Sequence, residues 1–495
     1  MEKLYALVKK LRTAEIRMLR RFLQSRLPEG VPEKRVQLFD CVAAATAIPD
    51  EQEIARRLGY KSKSDKAYIN LRSRLREDIL DIMLIQENGK AFENNYAQAQ
   101  FECRKRLMQG EMLLARGCYD PALELLGDAI HLAHRFELHA ELILMTDLLR
   151  SHAIVRNDMD VYNELNDLLH EAQAGLSASL RARQLYFEIT VPGLLQVDSL
   201  KGYRKHAGGL LVWLDNKTKR SYSPRIAFFR GLAQVNFHTT LYEFNEAITA
   251  GKKLLQLIEH EEVLRCDPNR GGITAELAAL ALRAGRFEEA ENYIRQSASC
   301  FASGLLNHFR VSQLHFFILL RSGKMDEAAE LLDKLEMQLV ECDTALHRQH
   351  LHFFQAVLRF HNGRQASCAA QLKKCRDLAS ANSEWTPGYL LFELMLSLDA
   401  GDFDTLQKKI MACRKKAAFA GYTRRMHARF FLIIDLLMWI SRREDVSLVF
   451  EQKKEELELL QRGEGEYHWN PGGYEVIRFD AWLRKNGSTT PAKKV

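Results

Sequence analysis

Three kinds of side chain in this 495-residue sequence could do chemistry by type and spacing: paired histidines, cysteines, and runs of arginine and lysine. His131 and His134 stand three apart with His139 beyond, and His347 and His350 repeat that spacing with His352 following. On a helix each pair shares a face and could hold a metal ion, with Asp128 or Asp343 as a third ligand. Neither set completes a known metal motif, so surface histidines or hydrogen-bonded core histidines are the expectation. The nine cysteines are scattered, odd in number and without a Cys-x-x-Cys pair, which suits buried thiols in a reducing compartment. Cys368 and Cys375, seven apart, read as core positions of one helix. There is no G-x-x-x-x-G-K-[ST] loop, no H-E-x-x-H and no G-x-S-x-G. The expectation is therefore a protein that is not an enzyme and holds no cofactor or metal.

The cations are more informative. KKIMACRKKAAFAGYTRRMHARF (408–430) has no Asp or Glu, and none lies between Asp404 and Asp435. Guanidinium groups gathered on one surface hold carboxylates or phosphates through paired hydrogen bonds. Lys408, Lys409, Arg424, Arg425 and Arg429 are the candidate site for an acidic peptide segment. The other reading of this run is a solvated basic face offset by Glu451, Glu455 and Glu456. A second cationic run lies nearer the start. Between Ile54 and Arg76 stand Arg56, Arg57, Lys61, Lys63, Lys66, Arg72, Arg74 and Arg76 against one acid, Asp65, a footprint suited to phosphates. The net charge is +7, and residues 1–90 hold 19 Lys/Arg against 13 Asp/Glu, so the basic excess is local.

The elements that must position these groups are helices. The chain is 47% hydrophobic with only 10 prolines, and it is too long for one core. Almost no stretch reads as a strand. Instead ARGCYDPALELLGDA (115–129), RAGRFEEAENYI (283–294), RSGKMDEAAELL (321–332), HNGRQASCAAQL (361–372) and DAGDFDTLQKKI (399–410) share one pattern, G-x-[FY]-x-x-A in the best copies. Glycine supplies the left-handed residue that ends one helix, the aromatic packs into the turn, and alanine lets the next helix approach closely. With weaker copies at 155–165 and 241–255, one inferred from spacing near 196–203 and a last at 441–460, the anchors fall near 117, 157, 199, 242, 285, 323, 363, 401 and 443. Helix pairs repeated about every 40 residues build an α-solenoid in which each pair covers its predecessor.

The G-x-[FY]-x-x-A turn with its later alanine, Ala129 in the best copy, resembles the tetratricopeptide repeat family over residues 98–460. The resemblance implies an all-α, right-handed solenoid of about eight to nine hairpins, wider than the family's period of 34. It also implies that first helices line a concave groove, which would place Arg424, Arg425 and Arg429 facing a groove ligand.

The N-terminal region, residues 1–90, is expected to form a separate basic helical domain. Residues 36–85 predict three helices, the last from about Ser64 to Ile85. EIARRLGY followed by a basic helix resembles the helix-turn-helix of bacterial transcription factors, whose second helix enters the major groove. Against that, the turn Gly59–Ser64 is long, and Tyr68, Leu71, Leu75, Ile79 and Ile82 form an apolar stripe along the whole third helix, as in a bundle or a cap on the first repeat. Residues 91–460 are the repeats. Residues 461–495 are a terminal cap, Tyr474 to Leu483, and a flexible basic tail from Arg484. The expected function is an adaptor binding acidic protein segments, with a DNA-binding regulator as the alternative. The charged start, MEKLYALVKKLRTAEIRMLRRF, and the interruption of the apolar stretch Phe430–Ile440 by Asp435 lead us to expect a cytoplasmic chain with no membrane partner.

Overall fold

The structure, a computed structural model, describes residues 1–25, 34–86, 94–191, 199–220, 222–301, 306–338, 345–379, 385–419, 424, 427–443 and 445–487. Among them are 24 α-helices and no strand; Asn94 and Cys266 form one isolated bridge. No helix among the described residues is long and apolar enough to cross a membrane. The chain divides into two compact units, Met1–Phe92 and Glu93–Val495.

The first unit has five helices: Glu2–Lys9, Thr13–Ser25, Lys34–Ala44, Glu51–Arg57 and Lys66–Gln86. Asp50 starts the fourth by accepting from the Gln52 amide at 2.9 Å, and Gly59, at φ +80°, ends it. Tyr68, Leu75, Ile79 and Ile82 of the long helix are buried against Leu19, Leu38, Phe39 and Ile54, with Leu71 at the edge of the same core. The apolar stripe is therefore what anchors this helix.

In the second unit seven helix pairs turn on a residue with positive φ, Gly117, Asn157, Tyr242, Gly285, Gly323, Gly363 and Gly401, and Glu137, at φ +52°, makes the same kind of turn between the first two of these pairs. The seven stand 38 to 43 residues apart, with one double interval between Asn157 and Tyr242. At Gly285 its amide donates to Leu282 O at 3.1 Å and the Arg286 amide reaches back to Ala281 O at 2.8 Å. The same two bonds recur at the other six turns, satisfying carbonyls that a helix end leaves open. A side chain in this conformation costs about 1–2 kcal/mol, which is why glycine holds five of the seven places. Five residues past the turn, Ala122, Ala247, Ala290, Ala328, Cys368 and Leu406 are all fully buried. At five of the seven turns this residue is small, alanine or cysteine, letting the second helix close on the first; Leu406 is buried in the same place, and Tyr162, after Asn157, is half-buried.

The copy expected near 196–203 falls in large part on residues 192–198, which lie outside the described residues; before them Met159–Thr190 runs for 32 residues and packs on both His139–Arg156 and Pro224–Thr240, and after them Ser199 caps helix Leu200–Arg220 by accepting from Gly202 N at 3.1 Å. Two expectations need correction. Past 443 the second helix is split into Leu448–Gln452 and Lys454–Arg462. Nor do all the turn aromatics pack inside: Tyr119 is 48% exposed and Phe287 37%, whereas Phe244 and Phe403, in the same place at their turns, lie half-buried against the core.

The largest core joins the hairpins turning at Gly285, Gly323, Gly363 and Gly401 to helix Ala428–Arg443 and to the C-terminal residues Val476, Ile477, Phe479, Trp482 and Leu483. The C-terminal segment does not stop at the terminal pair, as a simple cap would. His468 lies against the rings of Tyr242 and Phe244, and Gly472 lies over Leu282 and Leu314. Helix Phe479–Gly487 carries Arg484 and Lys485 in its last turn, so the region predicted as a tail is helical to Gly487. Residues 488–495 lie outside the described residues.

Candidate functional site

Arg429 is the one charged side chain in the first turn of Ala428–Arg443, whose neighbours Phe430, Ile433 and Ile434 belong to the core. It is 3% exposed. Its Nε and Nη2 donate to the two oxygens of Glu475, the second at 2.8 Å, and Nη2 also reaches Asp480 Oδ1 at 2.9 Å. Nη1 donates to the carbonyls of Leu460 at 2.7 Å and Tyr467 at 3.1 Å. Burial works against the guanidinium charge, but the Glu475 and Asp480 carboxylates outweigh it and hold its pKa above the ordinary value. Both carboxylates have further donors: Glu475 Oε1 accepts from the Phe479 amide at 2.8 Å, and Asp480 Oδ1 from Arg478 Nε at 3.1 Å. The Phe479 bond puts a carboxylate at the start of the last helix, the favourable end for negative charge.

A second arginine, not singled out by the sequence, works on the same segment. Arg321 ends helix Leu306–Arg321 and donates through Nε to Pro471 O at 3.1 Å and through Nη2 to Val476 O at 2.8 Å. Its guanidinium lies 4.7 Å from the Trp469 ring centroid, with Arg478 near the same ring at 5.4 Å. Burial lowers its pKa to about 10, only partly offset by Glu475. Trp469 in turn donates to Glu475 O at 3.2 Å, and Tyr474 packs edge-on against Phe430. Residues 468–483 therefore run over first helices of successive pairs, held by two arginines that read backbone carbonyls and carboxylates.

Gly388, in helix Thr386–Asp399, is where this segment comes closest to a first helix. A Cβ placed there would collide with the Tyr474 carbonyl oxygen, a backbone atom that cannot swing away. Gly388→Ala is expected to cost about 1–3 kcal/mol, the usual range for overpacking, and to raise hydrogen exchange at residues 471–476. Unchanged exchange there, read by mass spectrometry, would disprove the close approach.

Of the five residues of the acidic-peptide site, the four described ones have separate surroundings. Arg429 is internal and fully partnered, so it is withdrawn from any groove open to solvent. Arg424 precedes the helix instead of lying on it; it is exposed, bonds Asp435 Oδ2 at 2.6 Å and stands over Phe431. Asp435 also pairs with Arg414, so the acid that bounds the cationic run engages two of its members and offsets one of their two charges. Lys409 donates to Ser397 Oγ at 3.0 Å, Lys408 is exposed on the second helix Phe403–Phe419, and Arg425 lies outside the described residues.

Of the N-terminal cations, Arg56, Arg57, Lys61, Lys63, Lys66, Arg74 and Arg76 are exposed, and none of them forms an ion pair among the described residues. Arg72 is half-buried and tied to Glu51, bracing the long helix against the helix before it. A cleft beside the long helix is mixed in charge, lined by Lys34, Arg35 and Arg74 but also by Glu77, Asp78 and Asp81, with Arg35 and Asp78 paired at 2.6 Å.

The histidines do not gather metal ligands: among the described residues no three His, Cys, Asp or Glu do so. His131 and His134 are exposed, His139 is half-buried, and Asp128 pairs with Arg106 at 3.5 Å. Burial lowers the His350 pKa to about 4, and its Nδ1 faces Gln313 Nε2 at 3.2 Å. His352 meets Gln371 at 3.0 Å, His347 packs on Phe309, and Asp343 lies outside the described residues. Cys368 and Cys375 are fully buried, and burial pushes their thiols up to about 11 and about 12. No protein-family model matches this chain, and no curated protein matches it.

Proposed function

We propose that this chain is a non-enzymatic adaptor, a right-handed α-solenoid of tetratricopeptide-like hairpins whose first helices bind segments of partner proteins in the cytoplasm. What carries the reading is the set of seven alike turns, 38 to 43 residues apart but for the one double interval, joining helix pairs of which most pack on their neighbours in the chain. Such stacks expose long, semi-rigid surfaces, and a few anchors on such a surface suffice for specificity. Display selection of random segments against the full chain tests it. Individual selected segments should bind saturably by fluorescence anisotropy, with affinities around micromolar, about −8 kcal/mol. Should no segment give a saturable isotherm, the chain is not an adaptor of this kind.

The second reading is a DNA-binding regulator acting through the N-terminal unit, favoured by seven exposed cations with no ion-pair partner among the described residues. Phosphate contacts release counterions, so duplex affinity should fall steeply between about 50 and 200 mM salt. Arg56→Ala with Arg57→Ala and Arg74→Ala with Arg76→Ala should each flatten that dependence. Absence of duplex binding at about 50 mM salt would remove this reading.

A further inference from the structure

Residues 468–483 are held in an unusual way for a segment that merely covers a core. A buried ion-pair network adds little stability over apolar side chains of the same volume, because desolvating the charges cancels most of their attraction. What such a network provides is discrimination, since any segment without matching charges leaves a buried cation unpaired. Here two arginines take four backbone carbonyls, Leu460, Tyr467, Pro471 and Val476, and two carboxylates, Glu475 and Asp480. Pro471 to Val476 forms no helix but a run of turns in which the Tyr474 carbonyl accepts from the Val476 amide, leaving the Pro471 and Val476 carbonyls to accept from Arg321. Of the apolar anchors, Val476 and Phe479 lie between the two acids and Trp482 follows them. Upstream, Gly463 and Gly465 both have positive φ, a pivot between the last repeat helix and the segment.

We propose that residues 468–483 are an intramolecular ligand, and that the surface between Arg321 and Arg429 accepts in exchange a segment of the same chemistry: an aromatic residue followed by two carboxylates five positions apart within an apolar stretch. The proposal rests on the adaptor reading and names its partner class. In the resting chain the surface is covered, so a partner's apparent affinity is its intrinsic affinity multiplied by the small open fraction. The paired acids set that fraction, because removing their charge leaves Arg429 buried and unpaired.

The probe is a fluorescein-labelled peptide copying residues 464–487, titrated against the full chain and against the full chain carrying Glu475→Gln and Asp480→Asn. Binding to the altered chain should be at least about tenfold tighter than to the unaltered one, because weakening the internal ligand raises the open fraction. A peptide bearing the same two changes should bind neither chain. Should the double variant fail to fold by circular dichroism, Asp480→Asn alone gives the milder release, with the same ordering expected. Equal binding of both peptides to a folded variant, or none at all, overturns the proposal. So does hydrogen exchange of residues 468–483 in step with the helices of the Gly401 hairpin, which would make the segment permanent core. These results leave the adaptor reading to the display selection, which recovers segments for other surfaces whether or not this one exchanges.

Discussion

Arg429→Met is expected to lower the folding free energy of the second unit by about 3–5 kcal/mol, because it strips the cation from two buried carboxylates. Methionine keeps most of the aliphatic stem that packs beside Phe430, so the loss reports charge and hydrogen bonding more than a cavity. Glu475 and Asp480 are each about as buried as the arginine, at 5% and 4% exposed, and cannot turn to water without moving the segment. Arg429→Met together with Glu475→Gln and Asp480→Asn should recover much of the loss, since neutral amides tolerate the site where lone carboxylates do not. Urea midpoints of the three chains decide the matter. A drop below about 1 kcal/mol for the single change is the value typical of an exposed pair and would mean that the network is open to solvent.

Acidification should destabilise the same unit through histidines kept neutral by burial. His350 and His468 both have their pKa lowered to about 4 by burial, the first with His347 beside it. His468 rests on Phe244 at 4.8 Å, with Arg283, Arg429 and Arg478 also opposing its charge and only a backbone contact at Gly463 favouring it. A folded pKa below the unfolded value of about 6.5 means that the unfolded chain binds the proton first. The contribution is complete above about pH 6.5 and is lost as the pH falls toward 4, about 2 kcal/mol per histidine by pH 5 at 1.36 kcal/mol per unit. Urea midpoints at pH 7.5, 6 and 5 should fall in that order. His350→Gln with His468→Gln should flatten the fall, and an unflattened profile would assign it to other groups.

The helix pairs were legible because their turns demand a special backbone conformation. Glycine announces it at five of seven turns; at Asn157 and Tyr242 the spacing does so, Tyr242 taking the conformation with its ring against Phe244. The turn expected near 199 rested on spacing alone; residues 192–198 lie outside the described residues, between helices that end at Thr190 and start at Leu200. The chemistry of Arg429, a guanidinium paired with carboxylates, was legible too. Its ligand was not, because Glu475 and Asp480 lie 46 and 51 residues further along the same chain. A signal existed: YEVIRFDAWL sets two acids among apolar residues, and ARFFLII does the same with one arginine. Charges so placed need buried partners. Arg321 gave less, since a cation in the last turn of a helix is ordinary. Arg424 misled for the opposite reason: a run free of acids looks unpaired until Asp435 folds back onto it.

A row of hairpins touching only their neighbours can fray one pair at a time from either end, its cooperativity being that of a one-dimensional chain. The C-terminal segment changes that connectivity. By touching Phe244, Leu282, Arg321, Gly388 and Arg429 it short-circuits the row, so pairs far apart in sequence lose a common partner together. While the segment is seated, the pairs from Tyr242 onward are tied to one another, and its release returns them to the pairwise fraying open to those turning at Gly117 and Asn157. The same wiring constrains length over evolution: adding or deleting a pair after Tyr242 would throw every anchor of the segment out of register.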